Sequence, residues 1–125
     1  MCGIAFIWDK NNLLNSEETI KKMVESLSHR GPDGKSYKTH LFYKSTVYIG
    51  HTHLNIFSSK KDNQQPFVHG KNTLTYNGAI YNYKKLEPNS ASDAESLYTS
   101  LNKKGVNDIV PKLNGMFGFV YTDQD

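Results

Sequence analysis

The side chain best suited to covalent chemistry lies at the start of the chain. Cys2 is the single cysteine of the sequence and follows Met1 directly. If Met1 is removed, Cys2 carries both a thiol and a free α-amine. An α-amine titrates near pKa ~7.7–8 and a thiol near ~8.5, so the amine can act as the base for its own nucleophile. A cysteine that begins an apolar strand can also be a small packing residue, so position alone leaves both interpretations open.

Two further groups of polar residues are candidates for a site. His51 and His53 lie two positions apart, so an extended strand points both side chains to one face. No third ligand follows at a spacing typical of zinc, and we predict no metal site. Arg30 lies in the segment Ser28–Gly34, whose glycines and proline predict a structured loop. Such a loop can frame a site or simply be held together by its own charged residues.

The dipeptide Asn77-Gly78 is the strongest turn signal in the chain. We expect a strand over 73–76 to end there, because the segment 79–86 has the pattern of a short helix. A strand that enters a helix in this way points backbone N–H groups at whatever lies in front of it. Such groups can hold an anion or a developing oxyanion.

A capping box formed by Ser92 and Glu95 predicts the start of a helix. We expect this helix to continue to about Lys103, with Gly105 ending it. Asp93 falls in the first turn, where the helix dipole favours a carboxylate. Capping is therefore a sufficient role for Asp93 by itself.

The remaining elements follow from residue patterns. The apolar run Cys2–Trp8 predicts a strand that is buried on both faces, and apolar residues at helical spacing predict a helix over about Ser16–Ser28. Further strands are predicted at 35–43, 46–57, 67–68 and 115–121, with a polar loop at 58–66 and a short helical piece at 106–113. Because the strands cluster instead of alternating with helices, we predict an α+β fold with mostly antiparallel sheet and helices outside it.

Composition limits the class of protein. A length of 125 residues predicts a single domain over residues 1–125, and 37% hydrophobic with 22% charged residues is typical of a globular chain. The net charge of +3 comes from scattered lysines, so we expect no nucleic-acid partner. A lone cysteine favours a reducing, cytoplasmic location. The first apolar run is too short to span a membrane, and no cofactor is predicted.

In their order along the chain, these motifs resemble the glutaminase domain of class II glutamine amidotransferases, most closely the asparagine synthetase branch. The resemblance is collinear and covers nearly the whole chain. It rests on Met1–Ile4, Ser28–Gly34, Gly50-His51, Gln65-Pro66, Tyr76-Asn77-Gly78 with Ile80-Tyr81-Asn82, Ser92-Asp93 with Glu95, and Leu113–Phe117.

The resemblance implies the four-layer fold of an N-terminal-nucleophile (Ntn) hydrolase, in which two stacked, mostly antiparallel sheets lie between helix layers. Relative to that family the chain is expected to be truncated at its C-terminus. The family's closing strands and an ATP-binding synthetase domain are expected to be missing, as in a fragment, a truncated reading frame or a stand-alone domain that relies on a partner. Unpaired strand edges would favour a homodimer.

The resemblance also implies a reaction. The initiating methionine would be removed, and Cys2 would attack the side-chain amide of glutamine, forming a thioester that hydrolyses to glutamate. The ammonia would pass to a synthetase domain or subunit. Asn77 matches the side-chain donor to the oxyanion and Gly78 the backbone donor, each worth about a hundred- to a thousandfold in rate. Asp93 matches the carboxylate that holds the substrate α-ammonium, and Arg30 matches a loop arginine beside the site.

Two positions depart from the family pattern. His53 stands where the family has an arginine that binds the substrate α-carboxylate, and an imidazole lacks the bidentate fork of a guanidinium. Ala79 stands where the asparagine synthetase branch has a glutamate. Two alternatives therefore stay open beside glutamine hydrolysis. The chain could be a degenerate Ntn-fold subunit that binds or regulates, or an amidohydrolase that acts on another small amide.

Overall fold

A computed structural model of the chain describes residues 1–54 and 64–123. It divides into two compact units, Met1–Asn77 with Phe119–Asp125, and Gly78–Gly118. The single domain over residues 1–125 stays a prediction. The elements, in chain order, are β1 (Gly3–Lys10), α1 (Glu17–Ser26), β2 (Gly34–Leu41), β3 (Ser45–His53), β4 (Phe67–His69), β5 (Asn72–Ile80), α2 (Tyr83–Leu86), α3 (Asp93–Lys104), α4 (Val106–Ile109) and β6 (Gly115–Thr122), with a 3-10 turn at Val110–Lys112 between the last two.

The first sheet has the order β1-β3-β2 and is antiparallel throughout. Its central strand, β3, is buried over almost its whole length. The hairpin between β2 and β3 closes where Phe42 N–H donates to the Ser45 carbonyl at 2.8 Å, at the junction of the strands predicted over 35–43 and 46–57. The predicted strand 46–57 and loop 58–66 extend beyond the described ranges.

Helix α1 packs on one face of this sheet and confirms the predicted apolar stripe. Its Ile20 and Val24 are buried together with Ala5 and Tyr48 of the strands. Gly50 of β3 lies so close that a Cβ there would collide with the Val24 side chain. The absence of a side chain at position 50 therefore lets the helix rest directly on the central strand.

The prediction that the first strand is buried on both faces is wrong. Among the residues that the structure describes, β1 pairs only with β3, and Trp8 on its outer part is 59% exposed. The buried positions alternate, as in a strand with one solvated face. Asp9 is buried because its carboxylate accepts hydrogen bonds from Leu13 N–H (3.1 Å) and Leu14 N–H (2.9 Å), closing the turn that follows β1.

The second sheet has the order β4-β5-β6. Within the unit that contains Met1–Asn77, it is joined to the first sheet by buried polar contacts. One of these is the Thr75 hydroxyl, which donates to the Gly50 carbonyl at 3.2 Å. The α+β class and two antiparallel three-stranded sheets with helices are thus as predicted. In the described part of the chain, no helix is long and apolar enough to cross a bilayer.

The predicted turn at Asn77-Gly78 does not form. β5 continues through both residues to Ile80, and α2 begins only at Tyr83. The reason lies in β6: a Cβ on Gly78 would lie 2.5 Å from the Phe117 Cα and would collide with the Met116 carbonyl, and Gly78 has φ +154°. Glycine at position 78 therefore allows β6 to approach β5 closely. Because the chain stays extended here, the helix N-terminus that we expected to face a ligand does not form at this point.

The second unit is organised by α3, whose ends are as predicted. The Ser92 hydroxyl accepts from Glu95 N–H at 3.1 Å, and the Glu95 carboxylate accepts from Ala91 N–H at 2.6 Å. The helix ends at Lys104, and Gly105 follows with φ +79°. Helix capping by side chains thus defines α3 at its N-terminus.

Asn82 connects the two ends of the second unit. Its side-chain amide donates to the Lys112 carbonyl at 2.8 Å, and its side-chain oxygen accepts from Asn114 N–H at 2.9 Å. The Asn114 carbonyl in turn accepts from Tyr81 N–H at 2.8 Å. These contacts fix the start of β6 beside the end of β5.

Candidate functional site

The chain start is held in place by its main chain. Gly3 N–H donates to the Thr52 hydroxyl at 2.9 Å, and that hydroxyl lies 3.3 Å from the Leu27 carbonyl, to which it donates. A Cβ on Gly3 would lie 2.7 Å from the Thr52 hydroxyl and 3.0 Å from the Leu27 Cβ. The peptide after Cys2 is therefore fixed between β3 and the end of α1, while Cys2 itself is half-buried.

Strand register brings His53 to the same end of the first sheet. The β1–β3 ladder begins with Gly3 and Thr52, so Cys2 and His53 each flank that pair. The main chain of His53 pairs with Gly34 and, in an isolated parallel bridge, with Pro32, and its carbonyl accepts from Asp33 N–H at 3.0 Å. The backbone of His53 is thus fixed by the loop before β2.

Arg30 completes this group of predicted site residues. Its Nε donates to the Cys2 carbonyl over a long 3.4 Å. The adjacent Gly31 is buried against the backbone of Thr52, whose carbonyl carbon would lie 2.5 Å from a Cβ at position 31. The glycine-rich loop thus frames the chain start, and Cys2, Arg30 and His53 are brought together.

His51 lies two residues before His53 in β3 and is uncharged at neutral pH. Burial, with a smaller contribution from the charge of His53, lowers the pKa of His51 to about 4, and a hydrogen bond with the Tyr76 carbonyl opposes that shift. Its Nε2 lies 3.2 Å from that carbonyl oxygen. The rings of His51 and His53 are 6.0 Å apart. Within residues 1–54 and 64–123, no three His, Cys, Asp or Glu side chains form a group that could hold a metal.

Asn77 is half-buried in β5, next to the residue that His51 contacts. The main chain of that residue, Tyr76, is also held by Gln65, whose side-chain oxygen accepts from Tyr76 N–H at 2.6 Å. The backbone leading into Asn77 is therefore fixed by buried side chains from two other segments.

The remaining predicted residues, Gly78, Ala79 and Asp93, lie in the second unit. The Asp93 carboxylate accepts from Ile80 N–H at 3.0 Å and from the N–H of the next residue in its own helix at 2.9 Å. Ala79 is exposed, and its carbonyl packs against Gly115, where a Cβ would collide with it. The contacts of these three residues therefore connect β5, β6 and α3 within the second unit.

Two residues that hold the main chain near the predicted site, Thr52 and Gln65, were not predicted from the sequence. Thr52 lies between the two histidines, and the period of two along a strand points its side chain to the opposite face from theirs. This alternation was the sequence signal from which the contact of Thr52 with the chain start could have been inferred. Gln65 was noted in the Gln65-Pro66 motif, but its contact with Tyr76 depends on how β4 meets β5, which local sequence does not encode.

Comparison with known proteins tests the resemblance directly. The sequence profile of the glutamine amidotransferase domain matches residues 1–125. The chain is 30% identical over 99% of its length to a putative glutamine-hydrolysing asparagine synthetase 2 of Methanocaldococcus jannaschii, of which it covers 28%. It is 31% identical over 96% of its length to the glutamine-hydrolysing asparagine synthetase 1 of Bacillus subtilis, of which it covers 20%.

A probable glutamine-hydrolysing asparagine synthetase of Acanthamoeba polyphaga mimivirus is 30% identical over 99% of this chain, which covers 24% of the viral protein. The chain thus spans about a fifth to somewhat over a quarter of the length of these relatives. The family resemblance is confirmed: the chain belongs to the glutamine amidotransferase domain family, and its relatives are glutamine-hydrolysing asparagine synthetases.

Proposed function

We propose that this chain is a glutaminase domain that hydrolyses the side-chain amide of glutamine through an N-terminal cysteine. After removal of Met1, the α-amine of Cys2 takes the thiol proton and the sulfur attacks the amide carbon. The C–N bond breaks as the α-ammonium returns that proton to the leaving nitrogen, which departs as ammonia. Water then hydrolyses the thioester to glutamate.

The remaining candidate residues serve this reaction in the proposal. Asn77 and the Gly78 N–H stabilise the tetrahedral oxyanion. Asp93 holds the substrate α-ammonium, and His53 faces the α-carboxylate in place of an arginine. Arg30 supports the chain start, and Ala79 is a further substrate-binding residue in the proposal.

The observation that supports the proposal most strongly is the register of β1 on β3. The ladder begins at Gly3 and Thr52, so Cys2 and His53 lie at the same end of the first sheet, and His53 occupies the position that the family resemblance associates with substrate binding. The main-chain contacts of Gly3 hold this arrangement without using the thiol. A nucleophile and a recognition residue at one sheet end are what an acyl-transfer site requires.

The assembly around the domain is also part of the proposal. We infer a four-layer Ntn-hydrolase sandwich, a synthetase domain or subunit similar to that of asparagine synthetases as the acceptor of ammonia, and a cytoplasmic location. A homodimer through the strand edges is the proposed self-association.

Two linked measurements test the proposal. Intact-mass measurement of the purified protein should show loss of one methionine residue, and that protein should release ammonia from glutamine. Cys2→Ala should lower this rate by roughly 10⁴-fold or more with an unchanged melting temperature, since the described contacts at the chain start are made by the main chain. Retained Met1 in an active protein would contradict the use of the Cys2 amine.

A second candidate has specific structural support. Gly78 and Asp93 each make contacts that folding alone requires, namely the approach of β6 and the bond to Ile80 N–H. A subunit that keeps the fold for binding or regulation would need both residues without turnover. Wild-type protein that has lost Met1, is folded and yet releases no ammonia would favour this candidate.

A further inference from the structure

Two buried side chains contact the main-chain polar groups of Tyr76, one at its C=O and one at its N–H. His51 Nε2 lies 3.2 Å from the Tyr76 carbonyl, and Gln65 accepts from Tyr76 N–H at 2.6 Å. His51 is 1% exposed and Gln65 8% exposed. All three residues belong to the unit that contains Met1–Asn77. We call this arrangement the Tyr76 clamp.

In the described residues, the pairing of β4 with β5 ends before it reaches Tyr76. β4 pairs with β5 from His69↔Asn72 to Phe67↔Leu74. In an antiparallel ladder, a residue two positions beyond Leu74 presents its N–H and its C=O to the same edge as Leu74 does. β4 begins only at Phe67, so the polar groups of Tyr76 meet side chains where a longer strand would have supplied backbone.

Each hydrogen bond of the clamp has a defined direction. A carbonyl oxygen only accepts, so His51 must carry its proton on Nε2, and burial keeps the ring neutral. An N–H only donates, so Gln65 must present its oxygen to Tyr76. The Gln65 main-chain carbonyl accepts from the Ser36 hydroxyl. Gln65 is thereby tied to the first sheet as well.

We propose that His51 and Gln65 are positioning residues that fix the Tyr76 peptide and so hold the next residue, Asn77, in the orientation needed to donate to the oxyanion. This inference rests on the proposed function of Asn77. The clamp acts on kcat and not on substrate affinity, because an oxyanion donor works in the transition state.

Steady-state kinetics with glutamine test this role. His51→Leu and Gln65→Met keep similar volume but remove the donor and the acceptor, respectively. Each should lower kcat about ten- to a hundredfold, since a small misplacement of a catalytic group can cost that much, with KM changed less than about twofold. His51→Gln, which restores a donor near Nε2, should recover most of the lost kcat.

Thr75→Val is the matched control. It removes the neighbouring buried bond to the Gly50 carbonyl, between the same two sheets, without touching the Tyr76 peptide. We expect it to lower the melting temperature about as much as the clamp variants while leaving kcat unchanged. If kcat instead falls in step with melting temperature in all of these variants, the clamp only holds the sheets together and the inference is overturned.

A spectroscopic measurement separates failure of the clamp from failure of the proposed function. In ¹⁵N spectra of the histidine rings, His51 should show the Nε2–H tautomer from about pH 5.5 to 8, and amide exchange at Tyr76 should speed up in Gln65→Met. An Nδ1–H tautomer in an active enzyme would overturn the clamp. The Nε2–H tautomer in a protein without turnover would overturn the proposed function instead.

Discussion

The two compact units carry different parts of the predicted site and hold them differently. In the unit that contains Met1–Asn77, the main chain of Cys2 and Gly3 makes the described contacts, and the thiol is not needed for them. In Gly78–Gly118, by contrast, Gly78 and Asp93 already serve the packing of β6 and the start of α3. A residue with no structural task is the better indicator of chemistry, so Cys2 tests function more cleanly than Gly78 or Asp93.

The largest effect expected from this comparison is on folding of the second unit. Gly78→Ala should lower the free energy of unfolding by about 3 kcal/mol or more, since the added Cβ would collide with β6 and alanine disfavours the Gly78 φ. Thermal unfolding measures this. Gly70→Ala, at a glycine with φ +60° and open space around it, should cost only about 1 kcal/mol. Equal stability of the two variants would remove the structural explanation of Gly78.

Acid should weaken the first unit through His51. Its pKa is about 4 when folded and about 6.5 when unfolded. The neutral ring therefore contributes stability that is fully present above pH 6.5 and is lost as the pH falls toward 4. The loss is on the order of 3 kcal/mol. Denaturant unfolding at pH 7 and pH 4 should show it in wild type and not in His51→Gln; an equal loss in both would assign the acid sensitivity to other groups.

A paired substitution at the start of α3 tests whether Asp93 has a second role. Asp93→Asn keeps one acceptor but removes the charge, so we expect a loss of about 1 kcal/mol in stability and a rise of tenfold or more in KM for glutamine. Ser92→Ala removes the helix cap at a similar cost and should leave KM unchanged. If KM is unchanged in both variants, Asp93 is a capping residue only.

The smallest expected effect is at His53. His53→Arg supplies a bidentate partner for a carboxylate and should lower KM for glutamine severalfold with kcat unchanged. His69→Arg makes the same substitution at an exposed residue of β4 and should leave KM as it was. A lower kcat/KM in His53→Arg would indicate that the histidine recognises something other than the α-carboxylate.

Helices α1 and α3 and the last strand were predictable because local chemistry specifies them. The capping box of Ser92 and Glu95, the stop at Gly105 and the stripe of α1 each lie within a few residues of chain. The turn predicted at Asn77-Gly78 was wrong because a contact with a distant strand decides the conformation there. The turn propensity of the dipeptide is local, but Phe117 and Met116 of β6 pack closely against Gly78.

The predicted site divides along the same line. Cys2 was proposed because a terminal cysteine has intrinsic chemistry, and its reactivity stays a prediction; the order of motifs along the chain did lead to the family. The contacts of Thr52 and Gln65 were not predicted, since each depends on register and on which strand ends first. Sequence thus suggests candidate reacting groups more readily than the residues that hold the main chain around them.

The close packing around Gly3 has a practical consequence for preparing this protein. Because Thr52 and Leu27 leave no room for a side chain at position 3, the first strand cannot slide by one residue to bring another residue to the place of Cys2. If Cys2 reacts as proposed, an affinity tag placed ahead of Met1 would hold its amine in a peptide bond, and no shift of the strand could compensate. Tests of the proposal should therefore use a C-terminal purification tag, or a leader peptide whose cleavage leaves cysteine as the first residue.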